Sequence, residues 1–143
     1  MAGGDYVPNE LLSRLVGDRM YSVEFVLNDY VQLRFDGEPG SAEPVTLSCY
    51  VWPRVDVGGR VWTKDDPEYA DALVRLAPGT VRSTSERTGS GIGISLDTGA
   101  LIVHPEHDEV HVEIAEITGF SDRAWMIWRP GEDSFEDLIR PVR

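Results

Sequence analysis

The stretch Gly89-Ser-Gly-Ile-Gly-Ile-Ser-Leu-Asp-Thr-Gly-Ala-Leu-Ile-Val-His-Pro-Glu-His-Asp-Glu-Val-His-Val-Glu-Ile-Ala-Glu-Ile-Thr-Gly-Phe120 decides how this chain folds. Residues 92–96, 100–104 and 110–118 are rich in aliphatic and β-branched side chains. Turn residues separate them, so the spacing predicts a meander of three strands. Asp97-Thr98-Gly99 reads as the tight turn of a three-residue hairpin loop, with Asp opening it and Gly taking a positive φ. The rest of the sheet is expected to form around this stretch.

Upstream, residues 20–27 and 30–35 read as a hairpin turning at Asn28-Asp29. Val31, Leu33 and Phe35 alternate with Gln32 and Arg34, the pattern of a sheet with one wet face. In 45–52, Val45, Leu47, Cys49 and Val51 share a face opposite Thr46, Ser48, Tyr50 and Trp52. A short hairpin is expected over 56–63 around Gly58-Gly59, a polar edge-like strand over 81–88, and a last strand over 123–129. Two helices are expected. The first, in 5–19, has Asn9 as cap, a stripe of Leu11, Leu12, Leu15 and Val16, and Gly17 as stop. The second runs from 66 to 77, with Asp66 as cap, Pro67 in its first turn, and Tyr69, Ala70, Leu73, Val74 and Ala77 facing inward. Ser134 is expected to cap one final turn. The fold class is therefore α+β: a predominantly antiparallel β sheet of about seven to nine strands, curled, barrel-like or sandwich, with two short helices packed on it.

The 143 residues suit a single globular domain, 1–143, able to bury a core without disulfides. Thirteen Lys and Arg against 25 Asp and Glu give a net charge of −12. Such a field opposes binding to nucleic acid and to anionic lipid, and attracts a basic protein partner. A homo-oligomer is compatible with the same composition. No leader segment and no membrane-spanning run is read at the sequence level, and the expected location is cytoplasmic. The lone cysteine, Cys49, sits on an apolar face and reads as a buried thiol rather than a nucleophile.

Four groupings carry chemical alternatives. His104, His107 and His111 are the protein's three histidines, interleaved with acids that include Glu113. If Leu101 pairs with Ile114 and Val103 with Val112, His104 stands opposite His111, close enough to share a divalent metal. Otherwise the histidines decorate a solvated hairpin tip. Gly89-Ser-Gly-Ile-Gly93 leads into a strand rather than a helix, so it reads as a loop or bulge and not a phosphate cradle. The tryptophans Trp52, Trp125 and Trp128 are candidate interface aromatics, with core packing as the alternative. No nucleophile elbow is legible.

The fourth grouping, Leu96-Asp-Thr-Gly-Ala100, resembles the active-site motif of retroviral-type aspartic proteases, which would make Asp97 a catalytic acid. The match covers these residues alone and no apolar-apolar-Gly partner follows, so ordinary turn chemistry is preferred. Glu116-Ile-Thr-Gly-Phe-Ser-Asp-Arg-Ala-Trp-Met-Ile-Trp-Arg-Pro-Gly-Glu132 resembles the closing strands of small bacterial domains of the immunity-protein type. That resemblance implies a non-enzymatic protein-binding module and transfers no site residues. The expected function is such a module, without a cofactor. The alternative is a metal-binding protein or metal-dependent hydrolase using His104, His107, His111 and Glu113.

Overall fold

The computed structural model describes residues 6–41, 43–106, 109–110 and 113–136. Ten strands form one open sheet: β1 (Arg19–Val26), β2 (Tyr30–Phe35), β3 (Val45–Cys49), β4 (Arg54–Val57), β5 (Arg60–Trp62), β6 (Gly79–Arg87), β7 (Gly91–Leu96), β8 (Gly99–Val103), β9 (Ala115–Thr118) and β10 (Met126–Trp128). Their order is β10-β9-β3-β2-β1-β6-β7-β8-β4-β5, and every described pairing is antiparallel. The predominantly antiparallel sheet expected from the sequence is what forms. Among the described residues it has ten strands rather than seven to nine, and its edge strands β10 and β5 do not pair into a closed barrel.

The sheet is hinged at its middle. β1 and β6 share only the pairs Arg19–Thr80 and Met20–Gly79 before they diverge. Each strand carries a bulge close to that junction, at Tyr21 and at Arg82. A bulge adds one residue to one strand and reverses which side chains face inward. In β1, Met20 faces the core, and beyond the bulge Val23 and Phe25 do so opposite Leu33 and Val31. In β6, Val81 faces inward, and beyond the bulge Thr84 and Glu86 lie opposite Ile94 and Ile92.

The inward rows of both halves fill one core. Val31, Leu33 and Phe35 meet Val45, Leu47 and Cys49; Ile92, Ile94 and Leu96 meet Leu101 and Val103. Gln32, Ser48, Arg34, Ser22 and Glu24 hydrogen-bond across the outer face, as expected of a wet surface.

The helical expectation is half met. α1 spans Tyr69–Val74, shorter than the 66–77 read from the sequence. It buries Tyr69, Ala72 and Leu73, and Leu76 follows, while Val74 is 52% exposed. The inward stripe is therefore turned from the one expected. Asp66 does not cap it; its Oδ2 accepts from Thr63 N in the preceding turn. The first expected helix is only a 3₁₀ turn, Leu12–Leu15, which buries Leu11, Leu12 and Leu15. Asn9 has φ 71° and sends its side chain to Thr84 instead of capping. Side chains of this polar type bond tertiary backbone as readily as helix ends.

The hairpins follow their turn chemistry. Gly58 and Gly59, at φ 63° and 79°, form the two-residue link between β4 and β5. This is the mirror-image turn that matches strand twist. Asn28 takes φ 64° in a link between Val26 and Tyr30 that is one residue longer than expected.

Candidate functional site

Of the strand pairing behind the metal reading, the Leu101–Ile114 pair does not form, and Val112, expected opposite Val103, lies outside the described residues. Leu101 lies between Ile94 of β7 and Val55 of β4, so both its ladder edges are taken. β9 instead pairs with β3 and β10, and Ile114 receives Tyr50 N and Val51 N while donating to Trp128 O. The sequence pattern fitted a local hairpin, but β9 finds both of its ladder partners at long range and buries Ala115 and Ile117 in the core. His104 is half-buried, and its carbonyl accepts from Arg54 Nη1 at 2.7 Å. Glu113 lies 3.7 Å from Arg129. His107 and His111 lie outside the described residues. Among the described residues no group of three or more His, Cys, Asp or Glu converges on a metal position.

Asp97 and Thr98 serve the β7–β8 turn, a two-residue link between Leu96 and Gly99. Asp97 Oδ1 accepts from Thr80 N at 2.9 Å, and Thr98 Oγ1 donates to Leu76 O at 2.8 Å. The aspartate is thus engaged in holding the hairpin to β6. The Gly89–Gly93 run is the β6–β7 hairpin link and the start of β7, as its lead into a strand implied.

The three candidate tryptophans separate in space. Trp128 is 1% exposed and its indole is committed to the interior. Nε1 donates to Glu86 Oε2 at 2.8 Å. The same carboxylate accepts from Tyr6 OH, from Ser134 Oγ at 3.0 Å and from Asn9 N at 2.8 Å. Ser134 thus ties into the core inside the 3₁₀ turn Asp133–Phe135, and the rest of the final turn expected after it lies outside the described residues. Trp125 is 41% exposed and lines a shallow groove with Arg14 and Asp122.

Trp52 belongs to a surface cleft. β3 ends at Cys49, and Trp52 turns back against Tyr69 of α1, ring centroids 6.0 Å apart and nearly parallel. Phe25 of β1 packs on it at 5.8 Å, and Nε1 donates to the Asp29 carbonyl at 3.3 Å. Tyr69 is itself held by its hydroxyl, which donates to Pro53 O at 2.6 Å. Burial pushes that phenol well above its usual pKa. The indole therefore has a rigid backing and one accessible side.

Around Trp52 a cleft of about 460 Å³ opens between the β1–β2 turn, the end of β3 and the loop before α1. Leu27, at 75% exposure, overhangs it. Tyr50 forms another wall, its ring edge-on to Tyr30 at 5.7 Å. Burial, with the Glu116 and Glu113 carboxylates added, raises the Tyr50 phenol pKa, so the ring stays neutral. Among the described residues, Asp29, Asp65 and Glu109 line the cleft against one cation, Lys64. Glu109 is occupied by Glu106 N at 2.8 Å.

Leu27, Asp29 and Asp65 escaped the sequence reading because nothing local marks a turn residue as part of a cleft. Tyr50 and Trp52 were visible as aromatic neighbours at the end of a strand. Glu86 escaped because the bulge that turns it inward has no sequence signature. No family model, no curated protein and no solved structure matches this chain. No helix of the described residues is long and apolar enough to cross a membrane.

Proposed function

We propose that this protein is a non-enzymatic protein-binding module, immunity-like in acting by occupying a partner, and that it works in the cytoplasm. The observation that carries the reading is Leu27, a large aliphatic side chain held 75% exposed at the lip of an aromatic cleft. Tryptophan and tyrosine are enriched among interface anchors, and Leu27 extends the Trp52 and Tyr50 surface into a contiguous apolar patch. The net charge of −12 supports a basic partner, since complementary fields accelerate encounter. The test is cross-linking capture of the partner from its native source, followed by association kinetics with the purified pair. The association rate is expected to fall by about tenfold or more between low and physiological salt. A salt-independent rate, or no partner under cross-linking, sinks the proposal.

A further inference from the structure

The cleft and the charge around it are specific enough to name what enters. We infer that the Trp52 cleft receives an arginine side chain from an extended, basic segment of the partner. This inference rests on the protein-binding reading and gives it a point of attachment.

The geometry favours a long side chain with an apolar stem and a planar cationic head. Leu27 and the accessible side of Trp52 offer an apolar track of the kind that covers a methylene stem. Trp52 cannot yield, being stacked on Tyr69 and braced by Phe25, so the track exists before anything binds. A preformed site avoids part of the ordering cost of association. The neutral ring of Tyr50 adds a second aromatic wall, and cations are drawn to such ring faces.

The rim supplies the counter-charge. Among the described residues, neither the Asp29 nor the Asp65 carboxylate has an ion-pair or hydrogen-bond partner, and both side chains are exposed. Three other surface carboxylates are paired with arginines of this chain, Asp122 with Arg14, Asp36 with Arg19 and Glu24 with Arg34, so the surface already uses the carboxylate–guanidinium pair. Lys64 stands at the same cleft and opposes a point-like ammonium group. A guanidinium spreads its charge, stacks on aromatics and pairs with carboxylates through two parallel donors, so arginine suits this cleft better than lysine.

The test uses the full-length, isotope-labelled protein and two short peptides, Ac-Gly-Arg-Gly-Arg-Gly-NH₂ and its citrulline counterpart. Citrulline keeps the shape and removes the charge. The expected result is a saturable shift of the Trp52 indole N–H and Leu27 amide signals with the arginine peptide, at least about tenfold weaker with citrulline. The Asp29→Asn, Asp65→Asn double variant, altered only at exposed positions, should weaken binding about fivefold or more. An absent shift at Trp52, equal response to both peptides, or indifference to the double variant overturns the inference. Trp52→Ala is avoided because it removes the stack on Tyr69 and threatens the fold. Leu27→Asp serves in its place with the captured partner. If the partner binds that variant unchanged, the cleft assignment fails while the protein-binding reading stands. If capture yields no partner, that reading fails, and the peptide titration still reports on the cleft by itself.

Discussion

Trp128 Nε1 donates to Glu86 Oε2 at 2.8 Å although four strands lie between β10 and β6 in the sheet. Five inter-strand steps would separate them by about 24 Å in a flat sheet. The contact therefore records how far the sheet curls at the β1–β6 hinge. It also satisfies an indole donor and a carboxylate that would be costly to bury alone.

Removing that carboxylate should be severe. Glu86→Ala strands the Trp128, Ser134 and Tyr6 donors, and a loss of about 3 kcal/mol or more is expected in urea unfolding. Glu86→Gln should cost about 1–3 kcal/mol, because its amide NH₂ must face one of four donors. A cycle with Trp128→Phe should show positive coupling between the two positions. Wild-type stability in Glu86→Gln would refute the account of a fully donor-saturated carboxylate.

Alkali should unfold the protein earlier than charge repulsion alone predicts. Burial pushes the Cys49 thiol from 9.0 up to about 12. In the unfolded chain the thiol loses its proton above about pH 9, so the unfolded state binds fewer protons than the native state. Stability therefore falls as pH rises from 9 to 12, on the order of 1 kcal/mol per pH unit. Tyr69, raised from 10.0 by the same burial, steepens the fall above pH 10. Cys49→Ala should flatten the slope between pH 9 and 10. Native protein should also resist thiol reagents until it is unfolded.

Two glycines with similar φ should respond differently to alanine. Gly91, at φ +73°, would drive a Cβ into the Val103 carbonyl of β8. Gly59, at φ +79°, has nothing within 4 Å of that position. Gly91→Ala is expected to cost about 3 kcal/mol or more, and Gly59→Ala only the ~1 kcal/mol of left-handed strain. Gly59→Asn should come close to neutral, since Asn tolerates that conformation. Thermal melts of the three variants would settle the ranking; equal losses would remove the steric argument for Gly91.

Asp97→Ala should loosen a hairpin rather than abolish chemistry. The carboxylate holds Thr80 N at 2.9 Å while Asp97 N donates to Thr80 O at 3.0 Å. Loss of the first bond is expected to cost about 1 kcal/mol, with hydrogen exchange accelerated at the Thr80 amide. An unchanged Thr80 exchange rate would contradict the assigned role.

Local rules made much of the sheet legible. Alternation in 31–35 and 45–49 placed Val31, Leu33, Phe35, Val45, Leu47 and Cys49 on one buried face, because strand side chains alternate whatever the partner. Gly58-Gly59 announced its turn through backbone chemistry carried in the residues themselves, and Asp97-Thr98-Gly99 marked the place of its turn but not its length, which is two residues rather than three because Gly99 already pairs with Leu96. The Trp52 cleft was legible only as an aromatic pair at the end of a strand.

Partnership and phase were decided elsewhere. Whether residues 115–118 pair with β8 or with β3 turns on which arrangement satisfies backbone and covers apolar surface across the whole molecule. The bulges at Tyr21 and Arg82 likewise exist because β1 and β6 must meet for two pairs and then part. Those single extra residues put Glu86 inside, and the curl of the sheet brought Trp128 to it. The sequence by itself determined most of the strands, where they turn, and the buried face of unbulged strands such as β2 and β3. Only the tertiary structure settled their neighbours, their phase after each bulge and the cleft between three distant loops, because these depend on contacts no local pattern records.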